Sequence, residues 1–229
     1  MTDNSAPLPR LLPADRFHAG VRVATLLMWF ASIVVAYVVL GLIATKIFGP
    51  LSGLGVLLLL VVAVVAAQPI AWLGEKQLLA RWPSGRAAEL QPDAVDWRDG
   101  SQSVRLELGQ QINYWRWRFL VRRRRGGRVP GNHYCFAVRL LQGDSAVALY
   151  TFLSPTAADA LAARYAFYEL RRPKDPGKTA LGGRDSIYLA AEYARWDSGA
   201  ELDPPDFEAL VAHLAAYVPE FARSAQSGV

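Results

Sequence analysis

Arginine side chains are the densest group of residues in this chain that could bind a ligand. Seven fall within thirteen positions that contain no acidic residue. They are Arg116, Arg118, Arg122, Arg123, Arg124, Arg125 and Arg128. A guanidinium group pairs with phosphate or carboxylate oxygens through two parallel hydrogen bonds. The sequence therefore predicts an anion-binding surface.

Four interpretations of this arginine-rich segment remain open. Anionic lipid headgroups would attract each basic side chain by about 1 kcal/mol near a charged leaflet. An acidic subunit of a membrane complex would present carboxylates to the same groups. Nucleic acid would stack on Tyr114, Trp115 and Trp117 without sequence preference, so no specific nucleic acid is expected. The fourth interpretation is a solvated hairpin tip that binds nothing. Lipid headgroups are favoured over the other three.

Residue types that support catalysis are sparse. His18, His133 and His213 are far apart in the chain, and their spacing is not that of metal ligands. His133 and Cys135 are two positions apart, which would allow a thiol–imidazole pair on one strand face. A partly buried cysteine beside a surface histidine is the favoured interpretation. We expect no enzyme, cofactor, metal site or catalytic residue. A membrane-bound enzyme of unspecified chemistry is the least favoured alternative.

Two uncharged apolar stretches, Val23–Thr45 and Leu51–Leu73, precede the arginines. As a helix, each is long enough to cross a hydrocarbon core of about 30 Å. Gly49 and Pro50 leave a short turn between them, which predicts a two-helix transmembrane hairpin. A buried pair of core helices and, for the first stretch, a signal peptide are the alternatives. Neither stretch contains Asp, Glu, Lys, Arg or His, which favours an anchor over a transport pathway.

Basic residues flank this hairpin unevenly. They are Arg10, Arg16 and Arg22 before it, Lys76, Arg81 and Arg86 after it, and Lys46 alone in the turn. The positive-inside rule then predicts a multi-pass protein of the bacterial inner (plasma) membrane, with both termini and the large domain in the cytoplasm. The single cysteine, Cys135, agrees with a reducing compartment.

Residues 86–153 predict an antiparallel meander. Turn signals are Leu90-Gln91-Pro92-Asp93, Asp99-Gly100 and Gly143-Asp144. In one strand Trp115, Trp117 and Phe119 alternate with Arg116 and Arg118. This alternation predicts one apolar face in the core and one strongly basic face.

Helices are predicted after the meander. Ser154-Pro155 is typical of a helix start, and Leu161, Tyr165 and Tyr168 would share one side of that helix. Residues 171–184 predict a mobile loop, and residues 186–196 are ambiguous between helix and strand, with helix favoured by their alanines. A last helix is indicated from Asp203-Pro204-Pro205-Asp206 onwards.

The stretch from Ser84 to Leu170 resembles the bacterial PH-like domains found on small membrane proteins. The segments that carry the resemblance are AELQPDAVDWRDG, similar to that family's first hairpin, and SPTAADALAARYAFYEL, similar to its helix. The resemblance implies a bent seven-strand sheet closed at one end by a helix, and a binding or assembly module. It carries over no site residue, and residues 186–221 lie beyond that plan.

These observations define an α+β membrane protein with a cytoplasmic antiparallel β (PH-like, bent sheet or barrel) domain and C-terminal helices. The expected parts are an N-terminal tail (1–20), the hairpin (21–80), the PH-like domain (84–170) and a helical extension (171–229). The expected function is binding or scaffolding at the lipid bilayer, through anionic lipid headgroups or a neighbouring complex. An accessory subunit packed inside a larger energy-converting or transport complex is the alternative, and homo-oligomerisation stays open.

Overall fold

The structure is a computed structural model, and it describes residues 8–121, 131–170 and 184–218. The chain divides into two compact units. Arg16–Ser84 forms the first, here called the helical unit. The second, here called the β domain, joins the residues up to Asp15 with those from Gly85 onwards.

The helical unit consists of α1 (Ala19–Phe48) and α2 (Gly53–Arg81). The Ser52 hydroxyl caps α2 by accepting a hydrogen bond from the Gly55 N–H at 3.3 Å. Both helices are long and apolar enough to cross a membrane, judged by length and composition. Only 6% of the most apolar window of α1 and 17% of that of α2 is buried. The core helix of a soluble domain would instead be mostly buried.

Small residues mediate the contact between the two helices. Ala63, Ala67 and Ala71 recur every fourth residue along α2 and are buried. On α1, a methyl group added at Gly41 would lie 3.3 Å from the Leu59 side chain. Small residues at this spacing let helix backbones approach each other closely.

The β domain contains two sheets. The first has the strand order β1-β2-β3-β4, all antiparallel: β1 (Arg10–Pro13), β2 (Arg86–Leu90), β3 (Ala94–Asp99) and β4 (Gln102–Glu107). The second has the order β8-β5-β6-β7-β9: β5 (Asn113–Val121), β6 (His133–Gln142), β7 (Ser145–Leu153), β8 (Tyr168–Glu169) and β9 (Ala200–Glu201). Its three long strands are antiparallel, whereas β8 and β9 run parallel to their neighbours. The antiparallel strands predicted over residues 86–153 are present, but they form two meanders, β2–β4 and β5–β7, one in each sheet.

Three helices complete the domain: α3 (Pro155–Arg164), α4 (Arg184–Ser198) and α5 (Pro204–Tyr217). The start of α3 is as predicted, with Ser154 as its cap. Tyr168, predicted to lie on this helix, is instead in β8, because Tyr165 is already extended at φ −126° and ψ 140°. The ambiguous segment 186–196 is helical. Of the predicted loop 171–184, residues 171–183 lie outside the described part, and Arg184 begins α4.

The two sheets are joined at two corners. At one, Ala14 pairs with Leu202 beside β9. At the other, the Gln142 side-chain amide bonds the backbone of Glu107, donating to its carbonyl at 2.9 Å and accepting from its N–H at 2.8 Å. The sheets therefore enclose a shared core. Its largest buried side chains include Leu12, Leu90, Leu106, Phe136, Leu140 and Leu149 from the sheets and Leu161, Phe207, Leu210 and Leu214 from α3 and α5.

Residues 10–13, placed in an N-terminal tail by the sequence, form a strand of this core. Leu12 is fully buried, and β1 pairs with β2 along its whole length. The C-terminal helix α5 likewise packs in the shared core. The architecture is α+β, as expected, but with nine described strands in two sheets rather than one bent sheet of seven.

A second, smaller core covers the opposite face of the five-stranded sheet. Its buried members are Trp117, Phe119, Cys135, Ala137, Leu170 and Ala191. Trp117 and Phe119 are thus core residues, as predicted. The expectation of a single buried face is wrong, because α4 covers the face that lies away from the shared core.

Candidate functional site

Arg116 and Arg118 are the two members of the arginine-rich segment that the structure describes. They lie on the same face of β5, opposite Val138 and Phe136 of β6. Because directly paired residues point the same way, this is the face of the shared core. Both arginines are partly buried at its margin, so the predicted strongly basic sheet face is corrected to a basic margin. Arg122, Arg123, Arg124, Arg125 and Arg128 lie outside the described residues.

An aromatic ring lies near each of these two guanidinium groups, and an acid lies near Arg118. Arg118 lies 3.6 Å from the Glu169 carboxylate and 5.9 Å from the Tyr134 ring centre. Arg116 lies 5.8 Å from the ring centre of Tyr114. The Glu169 side chain is 60% exposed, so water screens its pairing with Arg118. The Arg118 guanidinium can therefore also pair with an anion from solvent.

The predicted candidates for acid–base chemistry do not converge. His133 is partly buried on the strand face that also carries Cys135. Burial raises the pKa of the Cys135 thiol to about 12, so the thiol stays protonated at neutral pH and is a poor nucleophile. Burial also lowers the pKa of His213, which packs against Tyr217 in α5. His18 belongs to the helical unit, where it contacts Trp82.

Within residues 8–121, 131–170 and 184–218, no group of three or more His, Cys, Asp or Glu side chains could hold a metal ion.

A buried polar cluster under α4 was not predicted. Glu192 accepts hydrogen bonds from Trp117 Nε1 at 2.8 Å and from Arg195 Nε at 2.8 Å and Nη2 at 2.6 Å. Arg195 is only 4% exposed, and its guanidinium lies 4.6 Å from the Tyr150 ring centre. We call Trp117, Tyr150, Glu192 and Arg195 the α4 clamp. Its sequence signal was an acid and a base at i and i+3 on a helix face that also carries Ala191.

The charges of the α4 clamp balance each other, because Arg195 pairs with Glu192. Burial alone would lower the pKa of Arg195, but the hydrogen bond with Glu192 and nearby groups raise it. Burial raises the pKa of Tyr150 to about 12. A charged pair that satisfies itself in this way holds structure rather than reacting. The clamp therefore fixes the rotation of α4 on the sheet.

Large aromatic side chains project from the outer surface of α4 as a result. Tyr193 is 73% exposed and Trp196 is 81% exposed. Each follows a clamp residue by one position, so each is turned away from the sheet by about 100°. They are three positions apart and therefore neighbours on the helix surface. We call Tyr193 and Trp196 the aromatic pair.

The end of α4 lies next to the points where the chain leaves and re-enters the β domain. Arg86 Nη1 binds Asp15 Oδ2 at 2.5 Å, and its Nη2 donates to the Ser198 carbonyl at 3.2 Å. Asp15 also accepts a hydrogen bond from the Glu201 N–H at 2.8 Å. We call Asp15, Arg86, Ser198 and Glu201 the exit corner. Tyr193 and Trp196 precede Ser198 by five and two positions on the same helix, so both lie within about two turns of this corner.

Comparisons of the chain with protein-family models, with curated proteins and with solved structures each found no match. Function therefore has to be inferred from the residues themselves.

Proposed function

We propose that this chain is a non-enzymatic, membrane-anchored binding protein. In this proposal α1 and α2 cross the bacterial inner membrane, and the β domain lies on its cytoplasmic side. The arginine-rich segment then contacts the anionic lipid headgroups of that leaflet. The observation that carries the proposal is the pairing of β1 with β2 on either side of the two apolar helices.

This pairing constrains how the chain can cross a bilayer. The residues before α1 and after α2 belong to one folded domain, so they must lie on the same side. The chain must then cross an even number of times, which two spanning helices satisfy. A cleaved signal peptide fits poorly, because cleavage after α1 would release the buried Leu12 and Ala14 from the domain. The uneven basic flanks favour the cytoplasm as the shared side.

Exposed apolar side chains on the helical unit also support a bilayer. Leu27 and Leu42 are each 64% exposed on α1, and Leu57 and Val65 are 62% and 65% exposed on α2. Soluble proteins rarely expose apolar patches of more than a few hundred Å². Lipid chains would cover this surface without cost.

The basic margin supports headgroup binding. Arg116 and Arg118 are two positions apart on one strand face, about 7 Å along the strand. Two neighbouring phosphates could each take one guanidinium. A PH-like assignment of the β domain would agree with such a role: two antiparallel meanders of three strands each, β2–β4 and β5–β7, precede α3. In that assignment β1, α4 and α5 are additions, and the six strands before α3 are one fewer than the resemblance implies.

The test uses the full chain in nanodiscs of zwitterionic lipid, with and without phosphatidylglycerol. Hydrogen exchange at β5 should slow when the anionic lipid is present, and 0.5 M salt should reverse the effect by screening. Arg116→Gln with Arg118→Gln should weaken the slowing. Arg98→Gln with Arg105→Gln, on the first sheet, is the matched control and should not. Equal exchange in both lipids would count against headgroup binding.

A second candidate is an accessory subunit packed in a larger membrane complex. The observation that favours it is an apolar groove of about 390 Å³ between α1 and α2. It is lined by Ile33, Val34, Tyr37, Gly53, Val56, Leu57 and Leu60. A helix of another subunit would fill such a groove. Native mass measurement after mild detergent extraction should then show co-purifying subunits, whereas a particle of this chain with lipid alone would reject the candidate.

A further inference from the structure

We propose that the aromatic pair, Tyr193 and Trp196, is a second membrane contact. The two rings would sit at the headgroup level of the bilayer that holds α1 and α2. This inference rests on the proposed function, because it requires those helices to cross a bilayer. It is separate from the basic margin, since it uses another element of the β domain and another kind of interaction.

The chemistry of the pair suits a lipid interface. Tyr and Trp combine a large apolar ring with a polar group, and both are enriched where membrane meets water. Such rings are seldom left as exposed in soluble domains as Tyr193 at 73% and Trp196 at 81%. We therefore expect these side chains to contact a surface that can cover the rings and also hydrogen-bond their polar groups, and the headgroup layer of a bilayer is such a surface.

The exit corner supplies the reason that lipid is the occupant. The Ser198 carbonyl is held by Arg86, which also binds Asp15. Only residues 16–18 connect Asp15 to α1, a chain length of about 15 Å at most. The surface next to the exit corner therefore cannot be carried far from headgroups if α1 enters a bilayer. Trp196 precedes Ser198 by two positions on α4, which is about 3 Å along the helix axis.

The α4 clamp adds preorganisation. Because Glu192 and Arg195 are fixed beneath α4, the two rings are presented without a further ordering step. The exposed Asp197 next to Trp196 would repel anionic headgroups. The contact should thus be driven by ring burial and be nearly insensitive to salt. The arginine contact proposed above should depend strongly on salt.

A nitroxide label placed beside the pair tests this. Asp197→Cys in the full chain keeps both rings, and buried Cys135 should take no label in the unsubstituted chain. In nanodiscs of zwitterionic lipid, the label's collision rate with oxygen should rise several-fold relative to that with a water-soluble nickel chelate. Asp159→Cys, exposed on α3, is the control and should show the ratio of a label in water.

Removing the rings completes the test. Tyr193→Ser with Trp196→Ser should return the Asp197→Cys label to the control ratio, and 0.5 M salt should not. An unchanged ratio after ring removal, or a watery ratio in the intact chain, would overturn the inference. Low collision with both reagents in native membranes, with a watery ratio in pure lipid, would mean that a protein covers the pair and would also overturn it.

A label at Leu42→Cys separates this inference from the proposed function. Leu42 is 64% exposed in the last third of α1, inside the uncharged stretch Val23–Thr45. If the label at position 42 shows the collision ratio of a lipid environment while the label at position 197 shows that of water, only the aromatic contact is refuted. If Leu42→Cys itself reads water, the membrane anchor fails and the aromatic contact fails with it.

Discussion

Leu12 lies directly opposite Ala88 in an antiparallel strand pair, although both apolar helices separate the two residues in the chain. Both side chains are fully buried in the shared core. In the order of the chain, the helical unit is thus inserted between two strands that are neighbours in one sheet. The β domain is therefore joined to the helices by two covalent connections.

Truncating Leu12 should destabilise the β domain. We expect Leu12→Ala to lower the free energy of unfolding by about 2–5 kcal/mol, because it removes buried methyl groups and leaves a cavity. Its neighbour Leu11 is 55% exposed, so Leu11→Ala is the matched control and should change stability by about 0.5 kcal/mol or less. Urea unfolding of the detergent-solubilised chain measures both. Equal effects would mean that β1 is not part of the core.

Replacing the helical unit by a short turn should leave a folded β domain. Ala14 N–H donates to the Arg86 carbonyl at 2.9 Å, so the two strand ends are already close enough for a hairpin. A chain that joins Asp15 to Gly85 through a glycine-rich turn should unfold cooperatively in thermal circular dichroism. The fragment 85–229, which lacks β1, should melt at a lower temperature or remain unfolded. Equal melting of the two would contradict the role assigned to β1.

Breaking the α4 clamp should cost more than breaking an exposed pair. Glu192→Gln leaves the Arg195 cation buried without its partner charge, and such losses are about 3–5 kcal/mol. Glu169→Gln removes the exposed partner of Arg118 and should cost about 0–1 kcal/mol. Chemical unfolding followed by circular dichroism would report the difference. A small effect of Glu192→Gln would show that α4 does not depend on the clamp.

The Thr151 hydroxyl predicts a stabilising substitution. Thr151 is fully buried on β7, and its Oγ1 reaches no hydrogen-bond partner in the described part of the chain. Thr151→Val keeps the shape and removes an unsatisfied polar group, which should raise stability by about 1 kcal/mol. The melting temperature would rise by about 2–4 °C. Thr151→Ser keeps the hydroxyl and loses a methyl group, so a stabilising Ser variant would refute the explanation.

Alkaline pH should destabilise the fold through Cys135. Burial raises its pKa from 9.0 to about 12, so the unfolded chain releases this proton before the folded chain does. Stability from this group is complete below pH 9 and is lost as pH rises towards 12. Unfolding midpoints at pH 8 and pH 10.5 measure the loss, and Cys135→Ala should reduce it. Tyr150 contributes in the same direction and remains in that variant. A thiol reagent that labels the folded chain rapidly at pH 8 would contradict the burial argument.

Local patterns were sufficient to predict much of the β domain. Strand alternation and turn residues located the meander, and Ser154-Pro155 located the start of α3, because these signals act between near neighbours. Residues Cys135 to Val138 are all buried, which shows why the prediction of a single buried sheet face was wrong. A strand covered on both sides gives an apolar run instead of an alternation, and CFAV is such a run.

Features that depend on distant residues were missed. Strand β1 has only four residues and ends at Pro13, so it is too short to show an alternation of apolar and polar residues. It is a strand because it pairs with β2. The strands β8 and β9 have two residues each and follow the same logic. The α4 clamp likewise needs Trp117 from β5 to meet Glu192. The residue spacing within β5 or within α4 does not predict this contact.

The position of β1 also sets an order of assembly. The ribosome releases Leu12 before any residue of α1, but Ala88 appears only after α2 is complete. During synthesis β1 must therefore wait without its partner strand while both apolar segments find their place. If α1 and α2 cross a bilayer as proposed, the sheet closes only when both ends of the hairpin lie in the same compartment. A chain whose second helix failed to insert would then hold the two halves of its own sheet on opposite sides of that bilayer, so completion of the β domain would report successful insertion.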